Sequence, residues 1–323
     1  HDAFRAGFRV ESDGSVSKYF IDRRDFHLER LTLAGAGIDA VRVHLRGLFF
    51  QKPDLSPQSL SRFCLIQTAS DEHYLGIMHH HSISDGRSLR VFATELFSNY
   101  QSDQKPEWRP ASTIDNVDWQ SSPAYLTAKA FWRSALQGIV TEGHLPEDIS
   151  VSGDAGSHHV VAVELPHETV QRAQAVASRI DVSLFTYFYG VGIVMLSRLL
   201  DQQMVCTTFQ SDGRRGMEDA ETTIKSLSNA LVLATSVDET GSFAEFLRRL
   251  RRDIRSAIDH EALPFHHTIQ ETGVHPRYGM NWYPNLPPIH VPGLEIAPAD
   301  MLDRQSDYEL NFRFVRSGNG LSL

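Results

Sequence analysis

The chain reads as a mixed α/β protein in two lobes, and three features of the sequence carry that expectation. At 323 residues it is long for one compact core. Its 41% apolar and 22% charged residues are the composition of a packed protein, with no low-complexity tract or fixed-period repeat. Short β-prone runs and helical periods are mixed in both halves. The boundary falls in "LPEDISVSGDAGSHH", rich in Gly, Ser and Asp, which predicts an N-terminal lobe over 1–150 and a C-terminal lobe over 151–323.

Phe63 to Ile66 and Tyr74 to His80 are β-prone runs separated by the polar turn "ASDEH", which predicts two strands. Leu89, Phe92, Ala93, Leu96, Phe97 and Tyr100 then recur at a helical period, so the stretch between, "HHHSISDG", occupies a strand-to-helix turn. "QKPEWRPAST" reads as loop, and "AYLTAKAFWRSALQ" as a helix with Phe131, Trp132 and Leu136 on one side. The second half opens with a strand "VVAVEL" and a helix "PHETVQRAQAVASRI", with Pro166 at the first helical position. A buried helix from Ser183 and a strand from Met204 to Phe209 follow. In "SFAEFLRRLRRDIRSAIDH", Ser242 and Glu245 form a capping box, and Phe243, Phe246, Leu247, Leu250, Ile254 and Ile258 an apolar stripe. Arg248, Arg249, Arg251, Arg252 and Arg255 share the opposite face, as a solvated surface or as a dock for an acidic partner.

A net charge of -9 argues against a duplex nucleic-acid binder, whose affinity rests on neutralising phosphates. Cys64 and Cys206 are too few for a disulfide framework and predict a reducing, cytoplasmic setting. The apolar run Val182 to Leu196 is broken by Ser183, Thr186, Gly190 and Gly192, which predicts a core helix and no membrane partner. The opening "HDAFRAGF", without Met, reads as cut from something longer.

The chemistry concentrates in "GIMHHHSISDGRSL". Strand alternation would put His79 and His81 on one face as paired metal ligands, but the pattern H-x-H-x-D-H fails at Ile83 and Ser84 and nothing points to a third ligand, so no metal is expected here. A serine nucleophile fits poorly because Ser82 and Ser84 lack the glycines of a nucleophile elbow. Acid–base chemistry fits best: a histidine at a strand end titrates near neutrality and accepts a proton from an attacking amine or hydroxyl. Asp85 would order the turn, as a helix cap or through a salt bridge, and Gly86 would allow a close approach or a special backbone geometry.

"His80-His81-Ser-Ile-Ser-Asp85-Gly86" is an H-H-x-x-x-D-G motif, and here the sequence resembles the condensation domains of nonribosomal peptide synthetases, within the chloramphenicol-acetyltransferase-like superfamily. Other segments are similar in the same order. "HDAFRAGF" matches at His1, Arg5 and Phe8; "VDWQ" and "AFWRSAL" resemble a Trp-containing region; "FQSDGRRG" ends a strand in Gly213-Arg214. "IKSLSNALVL" keeps Ile224, Asn229 and Leu231 but departs at Lys225 and Leu227, and "HEALPFHH" keeps His260, Pro264 and Phe265. The family's first motif and last strands have no counterpart, which suggests that both termini are truncated.

The resemblance implies two chloramphenicol-acetyltransferase-like lobes in a V-shaped pseudo-dimer around a tunnel. Donor and acceptor peptidyl carrier proteins would bring phosphopantetheine arms into it, with no cofactor bound by the domain itself, and adjacent adenylation and carrier domains would belong to one megasynthase. It implies amide formation between a donor thioester and an acceptor amine, with His81 catalytic, His80 and Gly86 part of the motif, Asp85 structural and paired with Arg5, and Asn229, Pro264 and Phe265 lining the substrate tunnel or packing beside it. An ester-forming acyltransferase would use the same general base, whereas an inactive condensation-like domain that recruits another enzyme should have lost its histidine, and intact His80, His81, Asp85 and Gly86 argue against it. "TEGHLP" holds a Glu142-Gly-His as in epimerisation domains, but in the wrong part of the chain, and His80 excludes a cyclising domain.

Overall fold

The computed structural model describes residues 1–22, 27–100, 119–141, 143–145, 160–238, 240–283, 289–297, 299, 308–317 and 320–323. Glu142, the loop expected over 104–113 and nearly all of the expected linker over 145–159 lie outside the described residues. Two compact units result, and neither is one continuous stretch. The first holds 1–116, 214–228 and 289–301, and the second 117–213, 229–288 and 302–323. The division expected at residue 150 is corrected accordingly: helix Pro123–Ala135 buries Tyr125, Ala128 and Trp132 in the second unit's core, where the Trp132 indole donates to the His260 carbonyl at 3.0 Å.

In the first unit β1 (Ala6–Val10) and β2 (Val16–Phe20) form an antiparallel hairpin. A separate sheet runs β3 (Glu29–Thr32), β4 (Ser61–Gln67) and β5 (His73–His79), with β3–β4 parallel and β4–β5 antiparallel. Helix α1 (Ile38–Phe49) packs Val41 and Leu45 against Cys64 and Ile66 of β4. Gly76 of β5 makes room for it, since a Cβ there would meet Leu45 Cδ2 at 2.5 Å. Helix α2 (Gly86–Tyr100) follows the histidine turn, and its Val91 joins Ala3, Ala6, Leu60, Ile83 and Ile224 in a buried cluster.

The second unit carries α3 (Pro123–Ala135), β6 (Glu164–Leu165), α4 (His167–Arg179), α5 (Leu184–Leu199), β7 (Met204–Ser211) and β8 (Asn229–Ser236). Then come α6 (Phe243–Asp259), α7 (Phe265–Thr272), β9 (Tyr278–Tyr283), β10 (Leu310–Ser317) and β11 (Gly320–Ser322). The sheet order is β6-β11-β10-β9-β7-β8, with β9 parallel to both β7 and β10. The expected strand "VVAVEL" is reduced to β6, which pairs with β11, while the Val163 and Leu323 backbones exchange hydrogen bonds at 2.8 and 2.9 Å and Val160, Val161 and Val163 are exposed. Pro166 caps α4 with extended backbone instead of occupying its first turn.

Helix α5 is a core helix: Phe188, Tyr189, Ile193 and Leu196 are buried, and Tyr189 shares a buried 2.7 Å hydrogen bond with Thr207. No single helix among the described residues is long and apolar enough to cross a membrane. The Ser242–Glu245 capping box is present on α6. On its basic face Arg249 donates to the Ser236 carbonyl and lies over the Phe246 ring, Arg251 pairs with Asp181, and Arg248, Arg252 and Arg255 are exposed.

Gly190 of α5 is where α6 comes closest, since a Cβ there would lie 2.3 Å from Leu247 Cδ2 and 3.3 Å from Leu250 and Phe246. Gly190→Ala is therefore expected to cost about 1–3 kcal/mol by overpacking, and Leu247→Ala about 2–5 kcal/mol by leaving a cavity. In urea unfolding the double variant should cost less than the two losses added together, because each change relieves the other. Simple additivity would refute this packing account.

Candidate functional site

The site is built where β5 gives way to α2. His79 is the last residue of β5, opposite Ser61, and its ring lies among Phe4, Phe63 and Phe92 with centroid separations of 5.0, 5.5 and 5.1 Å. Its Nδ1 is 3.3 Å from the Ser61 hydroxyl. The strand period stops there, so His79 and His81 do not form the paired face that alternation would give.

Next, the chain folds over on itself. The His80 amide donates to the Leu60 carbonyl at 2.8 Å and the Ile83 amide to the His80 carbonyl at 3.1 Å. His80 Nδ1 accepts from the Ser82 amide at 3.2 Å and lies 2.8 Å from the Ser82 hydroxyl. Burial, and then the neighbouring His81, lower the pKa of His80, so this imidazole is held neutral. Ile83 is buried and pins the turn to the apolar cluster beneath. His81 is thus left exposed at the tip, with Nδ1 3.3 Å from the Ser226 hydroxyl.

Beneath the tip lies Asp85, with its side chain 1% exposed. Its Oδ2 accepts from Arg214 Nη1 at 2.8 Å and from the amides of Leu227 and Ser228 at 3.0 and 3.2 Å. Its Oδ1 accepts from the Ser88 amide at 2.8 Å and Arg214 Nη2 at 3.1 Å. The Ser88 hydroxyl lies 2.8 Å from Oδ1 and 2.7 Å from the Lys225 carbonyl, with one proton to give between them. One carboxylate thus caps α2 and ties it to 214–228, the segment that also carries Ser226. Burial alone would raise the Asp85 pKa; the Arg214 guanidinium and the Leu227 and Ser88 amides outweigh it and hold the carboxyl below its ordinary value.

The expected Asp85–Arg5 pair is not formed. Arg5 sits in a short 3-10 turn before β1, where it pairs with Asp2 and donates to the carbonyls of Ile21 and Asp22 at 2.8 and 3.1 Å. Arg214, only 3% exposed at its side chain, takes the place assigned to Arg5. At Gly86 the φ is not in the left-handed region, and a Cβ would meet no atom of the described residues within 4 Å.

Asn229, Pro264 and Phe265 lie together in the second unit. Asn229 Nδ2 donates to the carbonyls of Glu261 and Leu263 at 3.0 and 2.9 Å, and its Oδ1 accepts from the Phe265 amide at 2.9 Å. Pro264 caps α7. This amide clamp holds the turn between α6 and α7, a packing role. Sequence reasoning missed Ser88, Ser226 and the partnership of Arg214 with Asp85. Only Ser88 carries a local signal, because it lies at the third helical position after an Asp cap.

With this geometry in view, the comparisons with known proteins are direct. The family model described as the condensation domain matches residues 1–279. The chain belongs to the condensation-domain family. Among curated relatives it is 26% identical over 281 residues to tyrocidine synthase 2 of Brevibacillus parabrevis, covering 85% of this chain and 8% of that protein. It is 25% identical over 351 residues to malpinin synthetase of Mortierella alpina, covering 99% of this chain and 4% of that one. The domain therefore spans less than a tenth of these relatives.

Similar solved structures include the first condensation domain of the CDA synthetase, with TM-score 0.72, 17% identity and coverage of 99% and 77%. The condensation domain of the monacolin K polyketide synthase MokA gives 0.82, 14%, 100% and 80%. The X-domain in complex with OxyB from teicoplanin biosynthesis gives 0.81, 18%, 100% and 76%. The fold is the chloramphenicol-acetyltransferase-like fold of condensation domains, as the resemblance implied.

Removing one partner of the buried pair leaves the other uncompensated. Asp85→Ala and Arg214→Ala are each expected to cost about 3–5 kcal/mol, and Arg5→Ala, at a half-buried site, less. Because the folded-state carboxyl is held below its unfolded value, Asp85 contributes its full stabilisation above about pH 4 and loses it as pH falls through the folded value. The gap in unfolding midpoint between the native protein and Asp85→Asn should therefore hold near neutral pH and shrink in acid. Equal losses for Arg5→Ala and Arg214→Ala would reverse the partner assignment.

Proposed function

We propose that the chain is an acyl-transferring condensation domain. It joins a donor acyl or peptidyl group, held as a thioester on the phosphopantetheine arm of one carrier protein, to the amine of an aminoacyl group on a second. The observation that supports this reading is His81, an exposed imidazole two residues past the end of β5 with Nδ1 directed to Ser226, on a turn ordered from below by Asp85.

When Nδ1–H donates to the Ser226 hydroxyl, the lone pair lies on Nε2. The acceptor amine attacks the donor carbonyl carbon, a C–N bond forms, and Nε2 takes the amine proton. The tetrahedral intermediate then collapses, the C–S bond breaks, and the departing thiolate receives that proton, so the histidine is restored. A hydroxyl acceptor would follow the same course to an ester. On this reading the domain works beside adenylation and carrier domains, and Asn229, Pro264 and Phe265 shape the second unit without touching the reacting atoms.

A second reading has one observation in its favour. A structural neighbour at TM-score 0.81 is an X-domain solved in complex with OxyB, so this fold also serves as a docking platform for another protein. The intact, exposed His81 favours catalysis.

The test is intact-protein mass spectrometry with a donor carrier bearing an acyl thioester and an acceptor carrier bearing an aminoacyl thioester, alongside a free amine and a free alcohol. Transfer to the amine is expected, reduced on the order of 100- to 10,000-fold in His81→Ala with an unchanged unfolding midpoint. Transfer only to the alcohol would move the chain to ester formation, and carrier binding without any transfer would favour the platform reading.

A further inference from the structure

Away from the histidine turn, three metal-ligating side chains of different elements converge in the first unit. Glu29 opens β3, Cys64 lies directly opposite it on β4, and His44 comes down from α1. Their ligand atoms all lie within 4.8 Å of one another, and His44 Nε2 is 3.1 Å from Glu29 Oε1. In tetrahedral zinc sites with bonds of about 2.0–2.3 Å, ligand atoms stand about 3.3–3.8 Å apart. Closing the trio around an ion therefore needs rotamer adjustments of the order of an ångström and leaves the backbone in place.

The setting separates this trio from an ordinary surface ion pair. Cys64 is fully buried, among Val41, Leu45 and Ile66, while Glu29 and His44 form the rim, with side chains 35% and 33% exposed. An ion would enter past the rim and meet the sulfur at the bottom. A thiolate, an imidazole and a carboxylate together form a donor set suited to zinc and unsuited to magnesium or calcium, which favour oxygen throughout.

We propose that Glu29, His44 and Cys64 form a binding site for a zinc-class divalent cation, with the three side chains as protein ligands and a water at the fourth position. Cysteine ligates a metal as the thiolate, so binding displaces the thiol proton. In the balanced step the S–H bond breaks, an S–metal bond forms and one proton passes to solvent, with no change of oxidation state. The site joins β3, β4 and α1 on the sheet that carries β5, so an ion there would brace the first unit. It does not depend on the acyl-transfer reading.

The test is titration of the full chain with Zn2+ by calorimetry and with Co2+ by absorption, where a thiolate-to-cobalt charge-transfer band reports the sulfur directly. One equivalent should bind with that band, and the unfolding midpoint should rise with added Zn2+. Cys64→Ser should abolish the band, and His44→Ala and Glu29→Gln should each weaken binding by at least about tenfold, with the far-ultraviolet spectrum of each unchanged. With 16 histidines in the chain, adventitious binding is the competing outcome. Binding that survives Cys64→Ser, is lost in His79→Ala or His81→Ala, or never shows the charge-transfer band would overturn the proposal. Cys64→Ala, which removes the sulfur without placing a hydroxyl among apolar neighbours, keeps the test decisive if serine is poorly tolerated there.

Discussion

A carboxylate withdrawn from water at the start of a helix has to find donors, and the way Asp85 finds them governs the rest of the first unit. Its cap on α2 uses one oxygen; the other reaches Arg214 and the amides of Leu227 and Ser228. These groups belong to a segment flanked in sequence by β7 and β8, so the carboxylate fixes where that connection lies against the turn. The Coulombic gain of such a pair is largely offset by desolvation. What the pair fixes is position, because the one carboxylate draws its donors from both α2 and 214–228. An apolar substitute of the same volume would pack, but it would not dictate the position of Ser226.

That constraint explains why three consecutive histidines have three different environments. His79 still belongs to the strand and falls among aromatic rings. His80 begins the turn and is held neutral by the Ser82 amide, by burial and by its neighbour. His81 is the first residue with no strand partner and no cluster to enter, so its ring stands in solvent, with Ser226 alongside. The differences come from backbone geometry: all three residues are chemically the same, and a one-residue shift of the strand end would exchange their roles.

How much of this could be read from sequence follows from the range of each interaction. The strands flanking "ASDEH", the helix after Gly86 and the capped helix from Ser242 are legible because period and caps are local, and the structure places them within a few residues of the expected limits. The sheet order β6-β11-β10-β9-β7-β8 is not, because its neighbours come from distant parts of the chain. The Asp85 partner fails for the same reason. Arg5 and Arg214 are both arginines at motif positions, and choosing between them requires knowing that 214–228, 129 residues away, returns to the turn. Similarly, Cys64 reads as an apolar core thiol until β3 and α1 bring Glu29 and His44 beside it.

The buried pair is compatible with two roles. A domain that transfers acyl groups and one that only presents a docking surface both need α2 and 214–228 held in place, so intact Asp85 and Arg214 serve either role equally well. His81 is different. An exposed imidazole adds little to packing, and its 3.3 Å contact with Ser226 is a single weak bond in reach of water. Such a residue contributes little to stability, so its worth lies in what its free nitrogen meets. His81 is thus a member of the turn that the fold does not need, and on the proposed reading its Nε2 meets the acceptor amine.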